Sequence, residues 1–153
     1  MKIYLAGPLF TTPEREFNVQ LATRLRAAGH EVYVPQEHPA AERTGKAIFR
    51  KDLEGIDWAE GVVAIMDGPD PDSGTCWECG YAYRKKPVIL FRTDFRAGHR
   101  LPGDLPQLEE QNDAPYNLML TEAATERLDL PFAALDSIAD SINDVLQNFR
   151  PAS

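Results

Sequence analysis

Within its first 34 residues the chain runs from a short apolar stretch through an amphipathic segment to a second short apolar stretch, and this unit constrains all that follows. Lys2-Ile3-Tyr4-Leu5-Ala6 reads as a strand, broken by Gly7-Pro8. Thr12 is expected to cap a helix with Pro13 at its first position. Phe17, Leu21 and Leu25, with Ala22 and Ala28, give that helix one apolar face, and Gly29 closes it. Glu31-Val32-Tyr33-Val34 is the next strand, stopped by Pro35. A strand, a helix and a strand in so short a span cross over right-handed into a parallel sheet.

The alternation continues. Gln36–Thr44 is polar, carries His38 and Pro39, and reads as a loop. Lys46–Glu54 predicts a helix with Ala47, Ile48 and Leu53 inward and Gly55 near its end. Val62–Met66 is a continuous apolar run, the mark of a strand buried on both faces. Three aspartates broken by two prolines and a glycine follow it and can only be a loop. Asp72 or Ser73 then caps a helix running to about Arg84. Pro87–Phe91 is a fourth strand. Thr93–Pro115, rich in Gly, Pro and charge, takes no assignment, and a loop of that size is functional or mobile. Asn117–Ala124 reads as a short helix, Thr125–Leu130 as a fifth strand, and Ala133–Phe149 as a closing helix. On that last helix Leu135, Ile138, Ile142, Val145, Leu146 and Phe149 share a face. The order predicts one domain over 1–153: an α/β, flavodoxin-like, doubly wound parallel sheet of five strands.

Composition narrows the partners. A net charge of −8 disfavours a nucleic-acid polymer or an anionic membrane surface. No apolar segment reaches membrane-spanning length. Met1–Phe10 is too short for a signal peptide, so a cytoplasmic location is expected. Cys76 and Cys79, three apart on one helix, read as packing residues, with thiol redox as the alternative. No Gly-x-Gly-x-x-Gly or Walker sequence follows any strand, and His and Cys are too few at ligand spacing for zinc. No metal is expected.

What remains is carboxylate chemistry. Ligands of an open parallel sheet bind beyond the carboxyl ends of its strands. Gly7-Pro8-Leu9-Phe10, Pro35-Gln36 and Asp67–Thr75 reach that edge. Glu78, six residues after Asp72, lies early in its helix, and Asp52 can reach over from the preceding helix. Carboxylates gathered at one mouth raise at least one pKa among them. The set suits a nucleophile with a general acid, the pairing of retaining glycosyl transfer.

Four motifs in order resemble one family: Ile3–Phe10, Lys51-Asp52-Leu53-Glu54-Gly55-Ile56, Asp72-Ser73-Gly74-Thr75-Cys76-Trp77-Glu78-Cys79-Gly80, and Tyr116-Asn117-Leu118-Met119-Leu120. Together they are similar to the nucleoside 2-deoxyribosyltransferases across nearly the whole chain. The resemblance implies exchange of nucleobases on 2′-deoxynucleosides without metal or organic cofactor. It implies Glu78 as nucleophile, Asp52 as proton donor to the base, and Asp72 on the sugar hydroxyls. It implies Tyr4 beside the nucleophile and Gln36 near the base. It implies a homo-oligomer in which Asn117 serves a neighbouring subunit's site. The expected substrate-binding set is Tyr4, Gly7, Phe10, Gln36, Gly74, Asn117 and Met119, with Phe10, Trp77 and Met119 as an apolar roof. Plain structural roles stand beside these: Asp72 and Asn117 as caps, Asp52 as a solvated helix residue, Tyr4 as core. Rival functions are a deoxynucleoside 5′-monophosphate N-glycosidase, which the charge of Asp72 disfavours by repelling phosphate, and a non-catalytic nucleoside-binding module.

Overall fold

The computed structural model describes residues 1–95 and 116–149; most of the unassigned stretch 93–115 therefore lies outside the described residues. Five strands form one all-parallel sheet: β1 Lys2–Ala6, β2 Glu31–Tyr33, β3 Gly61–Ile65, β4 Val88–Arg92 and β5 Glu126–Asp129, in the order β2-β1-β3-β4-β5. Tyr4 lies opposite Tyr33 on one side and Val62 on the other, and Val63 lies opposite Ile89. This is the flavodoxin-like order expected from the alternation of runs.

Period-two alternation sorts the side chains of each central strand onto two cores. Ile3, Leu5, Val63, Ile65, Ile89 and Phe91 pack with Leu21 and Leu25 of α1 (Thr12–Ala27) and Ile138 and Ile142 of α5 (Leu135–Gln147). Tyr4, Ala6, Val62, Ala64, Val88 and Leu90 turn the other way. They pack under Ile56 of α2 (Gly45–Trp58), Cys79 of α3 (Ser73–Ala82) and the flank of α4 (Leu118–Ala123). Tyr4 thus faces the layer that carries Asp52 and Glu78. Among the described residues, no helix is long and apolar enough to cross a membrane.

Several boundaries depart from expectation for local reasons. The cap of α1 is Thr11, not Thr12: Glu14, three residues on, accepts from Thr11 N at 2.7 Å while Glu14 N donates to Thr11 Oγ1 at 3.4 Å. Gly55 does not end α2. It is buried inside the helix, where a Cβ would stand 2.5 Å from Cε1 of Tyr33, so glycine lets helix and ring touch. Ile48 is not inward but 50% exposed; the large apolar side chain that α2 buries fully is Ile56, two residues beyond the segment first expected to be helical. Helix α3 stops at Ala82, and Arg84 takes a left-handed conformation at φ 67° in the turn that follows.

Candidate active site

β1 and β3 are neighbours whose onward connections leave in opposite directions, so the crevice of the sheet opens at their carboxyl ends. Gly7 follows β1 there, where a Cβ would meet Ile65 Cδ1 at 2.7 Å. Asn18, 3% exposed, ties the loop down by donating to the Pro8 carbonyl at 3.0 Å and to Gln36 Oε1 at 3.4 Å. Gln36 Nε2 in turn donates to the Arg15 carbonyl at 2.9 Å.

The exit of β3 is clasped to that of β4. Asp67 accepts from Thr93 N at 2.6 Å, from Thr93 Oγ1, and from Asp94 N at 3.1 Å. Reciprocally, Asp94 accepts from Gly68 N at 2.8 Å and pairs with the buried Arg92, whose Nε lies 2.7 Å from Asp94 Oδ1. Asp67 is therefore a structural acceptor, while Asp70 is exposed. Asp72, after the second proline, caps α3: Thr75 N and Oγ1 both donate to its Oδ2, at 2.8 and 3.0 Å. A Cβ on Gly74 would come 3.1 Å from that same oxygen, so glycine keeps the first turn close to the cap.

Beyond this cap α3 brings Glu78 back over β1. The Tyr4 hydroxyl, rising from the middle of that strand, donates to Glu78 Oε1 at 2.6 Å. The Tyr4 ring stacks on Tyr33 at 5.6 Å, and the Tyr33 hydroxyl donates to the Lys51 carbonyl, so strands and α2 hold one another in place. Burial pushes Glu78 up from the usual carboxylate range to about 7; Asp52 and Asp72 add to the rise, and the Tyr4 hydrogen bond opposes it. Burial raises Asp52 as well. Tyr4 is pushed well above a normal phenol, by burial first and the Glu78 charge second, and remains a donor at physiological pH.

Glu78 and Asp52 line one cavity of about 280 Å³ with Gly74 and an apolar wall of Phe49, Leu53, Ile56 and Trp77. The Phe49 and Trp77 rings meet at 5.2 Å. Asp52 also lines a second hollow of about 300 Å³, beside Leu9, Arg15, Gln36, His38, Arg43 and Lys51. Glu78, Asp52, Asp72, Tyr4 and Gly74 thus converge, Gln36 stands one cavity away, and Gly7 packs on Ile65 without lining either hollow. Phe10 is 76% exposed and lines neither hollow. Asn117 caps α4 through Met119 N at 2.9 Å. With Met119 it lines a third, apolar groove of about 680 Å³, which shares Trp77 with the Glu78 cavity but is not lined by Glu78. Cys79 is buried, and burial raises both thiols away from the reactive thiolate. Among the described residues no three His, Cys, Asp or Glu side chains converge as a metal site requires. Sequence reasoning missed Phe49, Leu53, Asn18 and the Asp67–Asp94 clasp; only the apolar spacing of α2 hinted at the first two.

A flavodoxin-like sheet with carboxylates gathered over its switch point defines the class of this molecule. The chain belongs to the nucleoside 2-deoxyribosyltransferase family, whose model matches residues 3–119. A conserved protein from Enterococcus faecalis superposes with a TM-score of 0.69 at 28% identity, over 95% of this chain and 98% of that one. A 2-deoxyribosyltransferase from Bacillus psychrosaccharolyticus gives 0.63 at 28% identity, over 92% and 91%. A CMP N-glycosidase from Clostridium botulinum shares the fold at 14% identity, with a TM-score of 0.56 over 94% and 98%. Among curated proteins, methionyl-tRNA formyltransferase of Magnetococcus marinus is 26% identical over 125 residues, 68% of this chain and 38% of that relative's length. The chain thus spans well under half of that relative.

Proposed function

We propose that the protein exchanges one nucleobase for another on 2′-deoxynucleosides through a deoxyribosyl ester of Glu78. The observation that carries this reading is the Tyr4–Glu78 hydrogen bond at 2.6 Å on the wall of a cavity shared with Asp52. Tyr4 fixes Oε1 and leaves Oε2 to attack. As the C1′–N bond breaks, the electron pair leaves with the base, which takes a proton from Asp52; an oxygen of Glu78 closes onto C1′. A second base, giving its proton back to Asp52, reverses the step and frees the carboxylate. Before the ester forms, the carboxylate stabilises positive charge at C1′, which no 2-hydroxyl opposes in a 2-deoxy sugar. Burial raises Asp52, so the acid is kept protonated to a higher pH than a solvated aspartate.

Transfer rather than hydrolysis requires water to be kept from the ester. The Phe49, Leu53, Ile56 and Trp77 wall supports that outcome. Asp72, held at the first turn of α3 and close enough to raise Glu78, would repel a 5′-phosphate, which favours nucleosides over nucleotides. We further take the active unit to be an assembly in which Asn117 of a second copy completes the site.

The test is chromatographic. 2′-Deoxyinosine with adenine should give 2′-deoxyadenosine and hypoxanthine, and Glu78→Ala should abolish the exchange while the protein stays folded. Acid-quenched wild-type protein should carry deoxyribosyl mass on the Glu78 peptide. Free deoxyribose as the sole sugar product would establish a hydrolase instead, and an unmodified peptide during turnover would remove Glu78 as nucleophile.

A further inference from the structure

Asp52 is a wall between two hollows, and the second is unlike the first. Glu78 stands in the apolar one; the other, about 300 Å³, is lined by Arg15, Arg43, Lys51, His38 and Gln36. On the transfer reading, on which this inference rests, C1′ lies against Glu78. The base that takes the Asp52 proton then extends past Asp52 into the second hollow.

Which polar groups meet it there is decided by what is already engaged. A free glutamine amide could pair with both the amino group and N7 of adenine. Gln36 has both ends committed within the protein, Nε2 to the Arg15 carbonyl and Oε1 to Asn18. Lys51 is paired with Glu54 at 3.0 Å. Among the described residues the ion pairs use Arg24, Arg26, Lys51 and Arg92, and neither Arg15 nor Arg43. A guanidinium is donor-only, with five N–H groups and no acceptor. Glu42 is the one carboxylate in this hollow besides Asp52, so donors outnumber acceptors at the rim. In a molecule of net charge −8, three cations around one small hollow are a local reversal of sign.

In a purine, N7 and the C6 substituent lie on the same edge. An acid serving N7 therefore sets the neighbouring donors against whatever C6 carries. A C6 oxygen accepts from them, and an arginine spans O6 and N7 well. A C6 amino group opposes N–H to N–H and leaves both unpaired. We infer that this hollow selects 6-oxopurine deoxynucleosides (2′-deoxyinosine and 2′-deoxyguanosine) over 2′-deoxyadenosine, with Arg15 and Arg43 reading O6.

Donor kcat/KM should favour 2′-deoxyinosine over 2′-deoxyadenosine at least tenfold, since sites that hydrogen-bond a substrate group discriminate strongly against its replacement. Both arginines are exposed, so Arg15→Met with Arg43→Met should fold normally and bring that ratio close to one. A wild-type ratio near one, or a ratio unmoved in the double variant, overturns the inference. Calorimetry with hypoxanthine, adenine and inorganic phosphate separates it from the transfer reading. Preferential hypoxanthine binding, lost in the double variant, upholds it even if no base is exchanged, in which case the transfer reading alone fails. Phosphate binding that needs the arginines, without preference between the bases, means the cations serve a phosphate and overturns it. So does binding of neither base.

Discussion

At the scale of the residue, Glu78 is held in a place that favours its neutral form. A carboxyl raised from 4.5 to about 7 by burial costs folding stability wherever the unfolded chain would ionise it. Below about pH 4.5 both states are protonated and the cost is absent. It grows as pH rises from there to about 7 and is constant above, reaching at most about 3 kcal/mol at 1.36 kcal/mol per pKa unit. Glu78→Gln keeps an acceptor for Tyr4 while removing the charge and its repulsion from Asp52 and Asp72. The variant should therefore be more stable than wild type by up to about 3 kcal/mol at pH 8.5 and by under about 1 kcal/mol at pH 5. Urea denaturation at the two pH values measures the difference; a variant no more stable at pH 8.5 would mean that the carboxylate is not desolvated. Stability given up at one side chain is the trade expected of a carboxyl with the proposed nucleophilic role. The strand, acidic loop and helix spacing made Glu78 and Asp72 readable from sequence. The place of Tyr4 came only from family resemblance, because its partner lies 74 residues away.

At the scale of the element, the site depends on how two strand ends are joined. Asp67 follows β3 and binds the backbone after β4, while Asp94 follows β4 and binds the backbone after β3, with Gly68 at φ 109° permitting the turn between them. The acidic loop leaves this clasp and ends in the cap of α3, so the clasp sets where Asp72 and Glu78 arrive. Asp67→Asn replaces one accepting oxygen by a donor facing Thr93, and should cost about 1–3 kcal/mol for the hydrogen bonds lost. Amide exchange over residues 68–75 should rise more than the loss of global stability explains. Exchange that rises evenly over the sheet would assign Asp67 to general stability alone. Nothing in sequence announces such a pairing, since an aspartate in a Pro-Gly loop looks the same whether solvated or bound. The same holds for the end of α2, where Gly55 reads as a stop signal and becomes an interior helix residue because Tyr33 packs on it. Strands were legible because buried runs need no tertiary knowledge to recognise. Even β5, with three of its four residues exposed, keeps the charged pattern of a protected edge.

At the scale of the whole molecule, the two faces of the sheet are unequally finished. Helices α1 and α5 cover one core, and the Ile138, Ile142 and Leu146 stripe of α5 is fully used there. The face of α3 and α4 leaves Trp77 and Tyr83 each close to half exposed and Met119 at 73%, around an apolar groove of about 680 Å³. Trp77 lines both that groove and the Glu78 cavity, so the two share a wall. A second copy is the occupant that the proposed role of Asn117 calls for, since Asn117 lines this groove and Glu78 does not. Sedimentation equilibrium should accordingly give a multiple of the 17.1 kDa chain mass. Met119→Asp, a charge placed on an exposed side chain, should shift the protein to monomer and lower base exchange at least tenfold, with the far-ultraviolet circular dichroism unchanged. A wild-type monomer with full exchange activity at nanomolar concentration would place all of the chemistry within one chain and leave the groove with no part in it.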